Sequence, residues 1–211
     1  MKELYTIGHS THPLEGFLEL LGMQGVTAVA DVRSVPYSRF NPQYNRETLK
    51  NSLEDAGIAY VWLGMELGPR GHEPNCYVEG KSPYPCIAQT ELFREGLERL
   101  RRGMEKHRVA MMCAEKDPVT CHRMILICRA LRRETMKIWH IREDGSLESL
   151  AESEKRLART LKLERLELFE TEDDFVERAY DMQGQRLTSA GKKKAGVPFQ
   201  SKPAKGENQS R

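Results

Sequence analysis

The sequence lacks any long hydrophobic run. No stretch of about 18 apolar residues occurs in the 211-residue chain, so we predict that nothing spans a membrane and that no membrane is a partner. The first residues, MKELYTIGHS, lack the apolar core of a secretion signal, which predicts a cytoplasmic location. The motifs GxGxxG and GxxxxGK followed by Ser or Thr are also absent, which excludes those two phosphate-binding loops.

Cysteine is scarce. The chain has five cysteines, an odd number spread through predicted loops and strands, which favours reduced thiols over a disulfide framework. Cys76 and Cys86 lie in a long irregular segment, 64–89, that also contains four prolines. We expect two unremarkable thiols there, and a second metal site or a redox pair is the alternative.

Net charge is also small, at +2, but it is unevenly distributed. Residues 185–211 contain seven Lys or Arg and one acid, so this end is basic while residues 1–184 are mildly acidic. The end is rich in Gly, Ser, Lys and Pro, which predicts a disordered tail because it cannot bury enough apolar surface. Contact of Lys192, Lys193 and Lys194 with nucleic acid is the alternative.

Strand and helix patterns alternate along the chain. Apolar, β-branched runs predict five strands, at residues 4–7, 26–32, 58–63, 108–113 and 137–141. Helical spacing of apolar residues predicts helices at residues 13–22, 47–56, 91–106 and 119–133. This alternation predicts an α/β fold in domain 1–145, with a mostly parallel sheet of about five strands flanked by helices.

A different pattern follows residue 145. Leucines recur among many charged residues over 147–168, which predicts one or two amphipathic helices in a C-terminal helical extension, 146–184. These helices pack on the domain or on a partner. A thin leucine stripe on a polar helix also suits a homodimer contact, which we keep as an alternative.

The most informative stretch is MMCAEKDPVTCHR, residues 111–123. Asp117 and Pro118 predict the start of a helix after the fourth strand, with Cys121 and His122 in its first turn. In parallel sheets, ligands bind beyond the carboxyl ends of the strands. Chemically reactive side chains follow all five predicted strands, so we predict a binding site along that edge of the sheet.

The order of the motifs TIGHS, ADVRSVPYSRFNP, ELGPR, MMCAEKDPVTCHR and WHI resembles the uncharacterised family called domain of unknown function 488. The resemblance covers about residues 4–142. It implies a single α/β domain with one pocket, but it supplies no reaction and no cofactor, which stays unknown. The residues that it implies for the pocket are His9, Ser10, Asp31, Arg33, Ser38, Arg39, Cys113, Glu115, Cys121, His122 and Arg123.

Arginines and carboxylates in this set suggest an anionic ligand. Arg33, Arg39 and Arg123 lie near predicted strand ends or the helix start, where they would bind phosphate or carboxylate oxygens. Ser10, Ser38 and His122 complete the predicted substrate-binding residues. Glu115 and Asp31 would act as a general acid and base, or would hold the arginines in place. Glu115, just past a buried strand, is the better acid or base because burial would raise its pKa. We include His9 among the catalytic residues.

Two further mechanisms use the cysteines. Cys121, predicted at a helix start beside a histidine and an arginine, would be a nucleophile or a sulfur carrier. Cys113, Cys121 and His122 would instead be the ligands if a metal is bound, although adjacent residues on a helix point in divergent directions.

The sequence therefore predicts an enzyme that hydrolyses or transfers a group, as a hydrolase or a glycosyl transferase, on an anionic substrate derived from a nucleotide or nucleic acid. The alternatives are a non-catalytic nucleotide or nucleic-acid binding module, and a metal- or thiol-dependent enzyme that uses Cys113 and Cys121.

Overall fold

The structure is a computed structural model that describes residues 2–70, 74–78, 81–165 and 170–194, with side chains described up to residue 189. The strands are β1 Lys2–Gly8, β2 Ala28–Asp31, β3 Ala59–Trp62, β4 Val109–Cys113, β5 Met136–Ile141 and β6 Leu147–Ser149. The α-helices are α1 Leu14–Met23, α2 Arg46–Asp55, α3 Tyr84–Ile87, α4 Glu91–Gly103, α5 Arg129–Leu131, α6 Leu150–Leu161 and α7 Glu172–Lys194. Short 3-10 helices occupy Pro42–Tyr44, Pro74–Cys76 and Pro118–Thr120, and a π-helix occupies Arg123–Cys128.

The six strands form one sheet in the order β3-β2-β4-β1-β5-β6. Strands β1 to β5 run parallel, and β6 pairs antiparallel with β5. The predicted α/β fold with a mostly parallel sheet is confirmed. The sixth strand lies where the sequence predicted helix, because a tight turn with Gly145 at a φ of 80° folds residues 147–149 back onto β5.

Helices cover both faces of the sheet. Along β4, Val109, Met111 and Cys113 enter one core, and the alternate residues Ala110 and Met112 enter the other. The second core packs against α1 and α2. The first packs against α3, α4, the π-helix, α6 and α7. The Cys113 side chain therefore belongs to the face that the π-helix covers.

The C-terminal segment is helical after β6. Helix α6 begins with a capping box, in which Glu152 N donates to Ser149 Oγ at 3.2 Å and Ser149 N donates to Glu152 Oε2 at 2.8 Å. Helix α7 continues to Lys194, past residue 185 where the tail was predicted to start. Residues 166–169 and 195–211, which hold parts of both predicted segments, lie outside the described residues. In the part of the chain that is described, no helix has the length and apolar character needed to cross a membrane.

The structure corrects one prediction about the cysteines. Cys76 and Cys86 form a disulfide, whereas the sequence favoured five reduced thiols. The 3-10 helix at Pro74–Cys76 and helix α3 bring the two Cα atoms to 5.4 Å, a proximity that composition does not reveal. Cys113, Cys121 and Cys128 are free and buried.

Gly8, the last residue of β1, touches the turn that follows β4. A β-carbon built on Gly8 would lie 1.9 Å from the backbone carbonyl oxygen of Glu115. Only glycine therefore fits at this position.

We expect Gly8→Ala to lower the free energy of unfolding by about 2–3 kcal/mol in urea titrations, because the added β-carbon would collide with this backbone oxygen. The control is Gly16→Ala in α1, where an added β-carbon would have no neighbouring atom within 4 Å beyond the helix's own backbone. That variant should gain up to ~1 kcal/mol. Equal stability of the two variants would contradict the close contact at Gly8.

Candidate functional site

An open cleft of about 410 Å³ lies at the carboxyl ends of the central strands. It forms where β2, β4 and β1 lie side by side and their following loops diverge. The residues that line it are His9, Ser10, Thr11, Arg33, Val35, Tyr37, Ser38, Asn41, Ala114, Glu115 and Lys116. Five of the residues predicted for the site therefore share one cleft. Lys116 was not predicted, although it directly follows the Cys-Ala-Glu residues of the family motif and could have been included.

The turn after β1 is held in an unusual conformation. His9 N donates to the carbonyl oxygen of Cys113 at 2.9 Å, and Ser10 N donates to that of Ala114 at 3.0 Å. Ser10 has a φ of 48°, a left-handed conformation that non-glycine residues rarely adopt. Residues in such conformations cluster at binding and catalytic sites. The β1–β4 backbone contacts thus fix Ser10 at the floor of the cleft.

His9 is buried and its ring stacks on Tyr44 with centroids 4.1 Å apart. Nδ1 lies 2.9 Å from the carbonyl oxygen of Ser10, so it carries the proton and donates it. Nε2 then accepts from Arg33 Nη1 at 3.2 Å. Burial and the charge of Arg33 lower the pKa of His9 to about 4. The ring is therefore neutral at pH 7, and its contacts orient Arg33.

Asp31 and Arg33 form a buried ion pair. Arg33 Nη2 lies 2.6 Å from Asp31 Oδ2, and Arg33 Nε donates to Asp31 Oδ1 at 2.9 Å. Asp31 also accepts from Arg33 N at 3.1 Å and from the Tyr60 hydroxyl at 2.8 Å. Its side chain is 0% exposed. These contacts fit the second role left open by the sequence, in which Asp31 holds an arginine in place.

Arg123 is also fully buried and does not reach the cleft. Its Nη1 donates to the carbonyl oxygen of Glu115 at 2.5 Å, and its Nη2 donates to that of Lys116 at 2.9 Å. Its Nε donates to Thr6 Oγ1 at 3.3 Å. The donor groups of Arg123 hold the turn after β4, outside the cleft in which the sequence predicted a substrate-binding role.

Arg39 lies away from the cleft, whereas Ser38 lines it. Arg39 is exposed, packs over the Phe40 ring at 4.7 Å and does not line the cleft. The Ser38 hydroxyl oxygen accepts from the backbone N–H groups of Phe40 and Asn41, so it stabilises the local turn. Of the three predicted arginines, only Arg33 lines the cleft. The sequence alone does not distinguish an arginine that binds a ligand from one that binds a backbone carbonyl group.

The segment after β4 is not the regular helix that was predicted. Asp117 does accept from Val119 N at 3.2 Å, as an N-cap should, but only a single 3-10 turn follows. Cys121 is then extended, with φ −129° and ψ 142°, and the π-helix begins at Arg123. Cys121 is therefore not in the first turn of a helix. This extended residue lets the side chains of Cys121 and His122 converge instead of diverging.

Four side chains meet beside the cleft and form what we call the thiol cluster: Cys113, Glu115, Cys121 and His122. One potential metal-ligand atom from each lies within 4.8 Å of the other three. Both sulfur atoms contact Glu115 Oε2, at 2.7 Å from Cys113 and 3.2 Å from Cys121. His122 Nδ1 lies 3.5 Å from Cys113 Sγ and 3.8 Å from Cys121 Sγ. Three of the residues are buried, and Glu115 is exposed to the cleft.

The four members of the thiol cluster differ in how their surroundings shift their pKa values. Burial raises the pKa of Cys113. Glu115 as a whole residue is exposed, but its carboxyl group lies against the two sulfur atoms, where local burial and the charge of Cys121 raise its pKa. Burial also opposes ionisation of Cys121. Contact with the Cys113 thiol and the charges of Arg123 and His122 outweigh it and lower the pKa of Cys121 well below its usual value. Burial disfavours charge on His122, but the negative charge of Cys121 raises its pKa. The site thus favours negative charge on one sulfur.

The pair Asp31 and Arg33 yields a test of its structural role. We expect Asp31→Asn to lower the free energy of unfolding by about 3–5 kcal/mol, because it leaves the Arg33 charge buried without a counter-charge. The double variant Asp31→Asn with Arg33→Met should lose clearly less in the same urea titration, since it removes that charge. Additive losses would show that the ion pair does not couple the two residues.

His140 is a third buried histidine, paired with Thr6 across β5 and β1. Its Nδ1 lies 2.7 Å from Thr6 Oγ1, and its Nε2 has no hydrogen-bond partner among the described residues. Burial and the charge of Arg123 lower its pKa to about 3. His140 belongs to the motif WHI, and the sequence analysis assigned no role to it.

This histidine predicts a pH dependence of stability. The unfolded histidine binds a proton below about pH 6.5, whereas folded His140 stays neutral down to about pH 3. The free energy of unfolding should therefore fall as the pH decreases between these values. Between pH 7 and 5, His140→Asn should lose less stability than the wild type, and His107→Asn, which removes an exposed histidine, is the control. A folded protein whose His140 ring is protonated at pH 5, by NMR, would contradict this.

Comparison with known proteins identifies the family of this chain but does not indicate an activity. The chain matches the family described as Domain of unknown function DUF488 over residues 13–130, which is more than half of its length. No curated protein and no solved structure matches it. The matched range contains the Asp31 and Arg33 pair and the whole thiol cluster, while the turn with His9 and Ser10 lies just before it. The resemblance drawn from the motifs is confirmed, and the chain belongs to the DUF488 family.

Proposed function

We propose that this protein is an enzyme that hydrolyses, or transfers a group of, an anionic substrate derived from a nucleotide or nucleic acid, bound in the cleft. One observation carries the proposal: Glu115 is the only carboxylate among the described residues that line the cleft. It stands between the solvent-filled cleft and the buried sulfur atoms. A carboxylate in that position can take a proton from an attacking water and return it to a leaving group.

The charges at the cleft support an anionic substrate. Lys116 lines the cleft and forms a solvent-exposed ion pair with Glu143, in which both side chains are more than half exposed. Exposed pairs of this kind are worth at most about 1 kcal/mol, so a phosphate group can replace Glu143 as the partner of Lys116. Arg33 adds a guanidinium group that Asp31 and His9 hold in a fixed orientation.

Aromatic side chains near the cleft support a base-containing substrate. Tyr37 lines the cleft and is 52% exposed, and Phe40, three residues further, is 78% exposed with Arg39 over its ring. Exposed aromatic and arginine side chains stack on nucleic-acid bases. The carboxylate, the lysine and the tyrosine thus lie along one cleft, as a nucleotide would require.

A thiol mechanism remains the second candidate because the surroundings of Cys121 favour its thiolate. However, Cys121 is 1% exposed and does not line the cleft. A substrate in the cleft could reach its sulfur only after neighbouring side chains moved. Glu115 itself is exposed to the cleft, so acid–base chemistry needs no such movement.

The test is Glu115→Gln, assayed with a panel of nucleoside 5′-monophosphates and short RNA and DNA oligonucleotides, with products separated by chromatography. We expect turnover to fall by about 100-fold or more, because the amide cannot take a proton. Binding affinity and melting temperature should stay close to those of the wild type, because the change is isosteric. The matched control is Glu105→Gln. Glu105 is an exposed glutamate that pairs with Lys2, at the end of β1 that lies away from the cleft.

The outcomes separate the competing functions. Wild-type protein that binds a member of the panel without converting it would indicate a non-catalytic binding module. Turnover that survives in Glu115→Gln but disappears in Cys121→Ser would favour the thiol mechanism. A large fall in the melting temperature of Glu115→Gln would make this glutamate a structural residue.

A further inference from the structure

We infer that Cys113, Cys121 and His122 bind one zinc ion, with a fourth coordination position open toward Glu115 and the cleft. Two cysteines and one histidine are a ligand set found in catalytic zinc sites, which keep one position for water or substrate. The inference does not depend on the proposed reaction, because metal content is measured without any substrate.

The distances in the thiol cluster fit one tetrahedral ion. Zinc lies about 2.3 Å from sulfur and about 2.0 Å from nitrogen, so a sulfur and a nitrogen ligand are about 3.5 Å apart. His122 Nδ1 lies 3.5 Å from Cys113 Sγ and 3.8 Å from Cys121 Sγ. The two sulfur atoms are within 4.8 Å of each other. One ion can therefore contact all three ligand atoms with side-chain adjustments alone.

Neighbouring groups already hold the histidine and one sulfur in place. His122 Nε2 lies 3.0 Å from the carbonyl oxygen of Val32 and donates to it, which leaves the Nδ1 lone pair facing the two sulfur atoms. Metal-binding histidines almost always donate their other ring N–H in this way. Arg123 N donates to Cys121 Sγ at 3.5 Å. The ligands are thus oriented before an ion arrives.

Charge gives an independent reason for a cation. Two sulfur atoms and a carboxylate oxygen lie within contact distance, and both cysteine side chains are at most 3% exposed. The buried guanidinium of Arg123 donates to two carbonyl oxygens and to Thr6. A divalent ion would balance the charge of the two thiolates, and the protons that the ligand atoms carry beforehand would be released to solvent on binding.

Glu115 is assigned to the water at the open position and not to the ion. Its Oε2 lies 2.7 Å and 3.2 Å from the two sulfur atoms, closer than the about 3.5 Å that an oxygen and a sulfur keep on one tetrahedral zinc. Its side chain is on the exposed side of the thiol cluster, so it can rotate toward the cleft and leave room for water. Glu115→Gln should therefore keep the metal.

The experiment measures zinc by elemental analysis in full-length protein purified without chelators or affinity metals. We expect about one zinc per chain in the wild type and at least tenfold less in Cys113→Ser and in Cys121→Ser. Cys128→Ser is the matched control, since Cys128 is a free, fully buried cysteine outside the thiol cluster, and it should retain the zinc. Circular dichroism reports whether each variant is folded.

A second measurement holds even if the serine variants unfold. Wild-type protein stripped of metal and titrated with Co²⁺ should develop thiolate-to-cobalt charge-transfer absorption at one equivalent, together with the intense visible bands of tetrahedral cobalt. A wild type that contains no zinc and shows no such bands would overturn the site. Loss of zinc in Glu115→Gln would overturn the open fourth position by making Glu115 a ligand. Zinc retained in folded Cys113→Ser and Cys121→Ser would place the metal elsewhere.

Discussion

The rest of the site depends on the hydrogen bonds that the buried guanidinium of Arg123 donates. Among the residues that the structure describes, it has no carboxylate partner, and it donates instead to the carbonyl oxygens of Glu115 and Lys116 and to Thr6. These hydrogen bonds hold the turn after β4 next to β1. The turn places Glu115 beside the two sulfur atoms. A buried charge satisfied by neutral acceptors also creates a positive environment, in which the sulfur of Cys121 is the nearby group that gains from ionisation.

Three backbone contacts connect this turn to the end of β1, beside the cleft. Gly8 passes so close to the carbonyl of Glu115 that no side chain fits there, and His9 N and Ser10 N donate to Cys113 and Ala114. The end of β1 is therefore bound to the same turn that Arg123 holds from the other side. Because β1, β4 and β2 are neighbours in the sheet, the buried pair of Asp31 and Arg33 comes to the same edge.

Sequence reasoning could predict what depends on periodicity and chain order. Short apolar runs alternating with helical patterns indicate a parallel sheet, and the rule about strand ends brings His9, Arg33 and Glu115 to one edge. The short hairpin that makes β6 was missed, because three residues carry too little pattern.

The direction of side chains in irregular segments could not be predicted. One extended residue at Cys121 decides whether it and His122 converge, and only the three-dimensional environment decides that Arg123 binds carbonyl groups. The pairing of Cys76 with Cys86 likewise depends on how a loop folds, which spacing alone leaves open.

The π-helix at Arg123–Cys128 makes the length of this segment a constraint in its own right. Its six residues are all buried, and its wider turn accommodates one residue more than an α-helix would over the same rise. Deleting a single residue here would rewind the segment and rotate the guanidinium of Arg123 away from the carbonyls that it holds. Conservative apolar substitutions within residues 124–128 should therefore disturb the position of Arg123 less than an insertion or deletion there, because the number of residues in this segment sets where Arg123 lies.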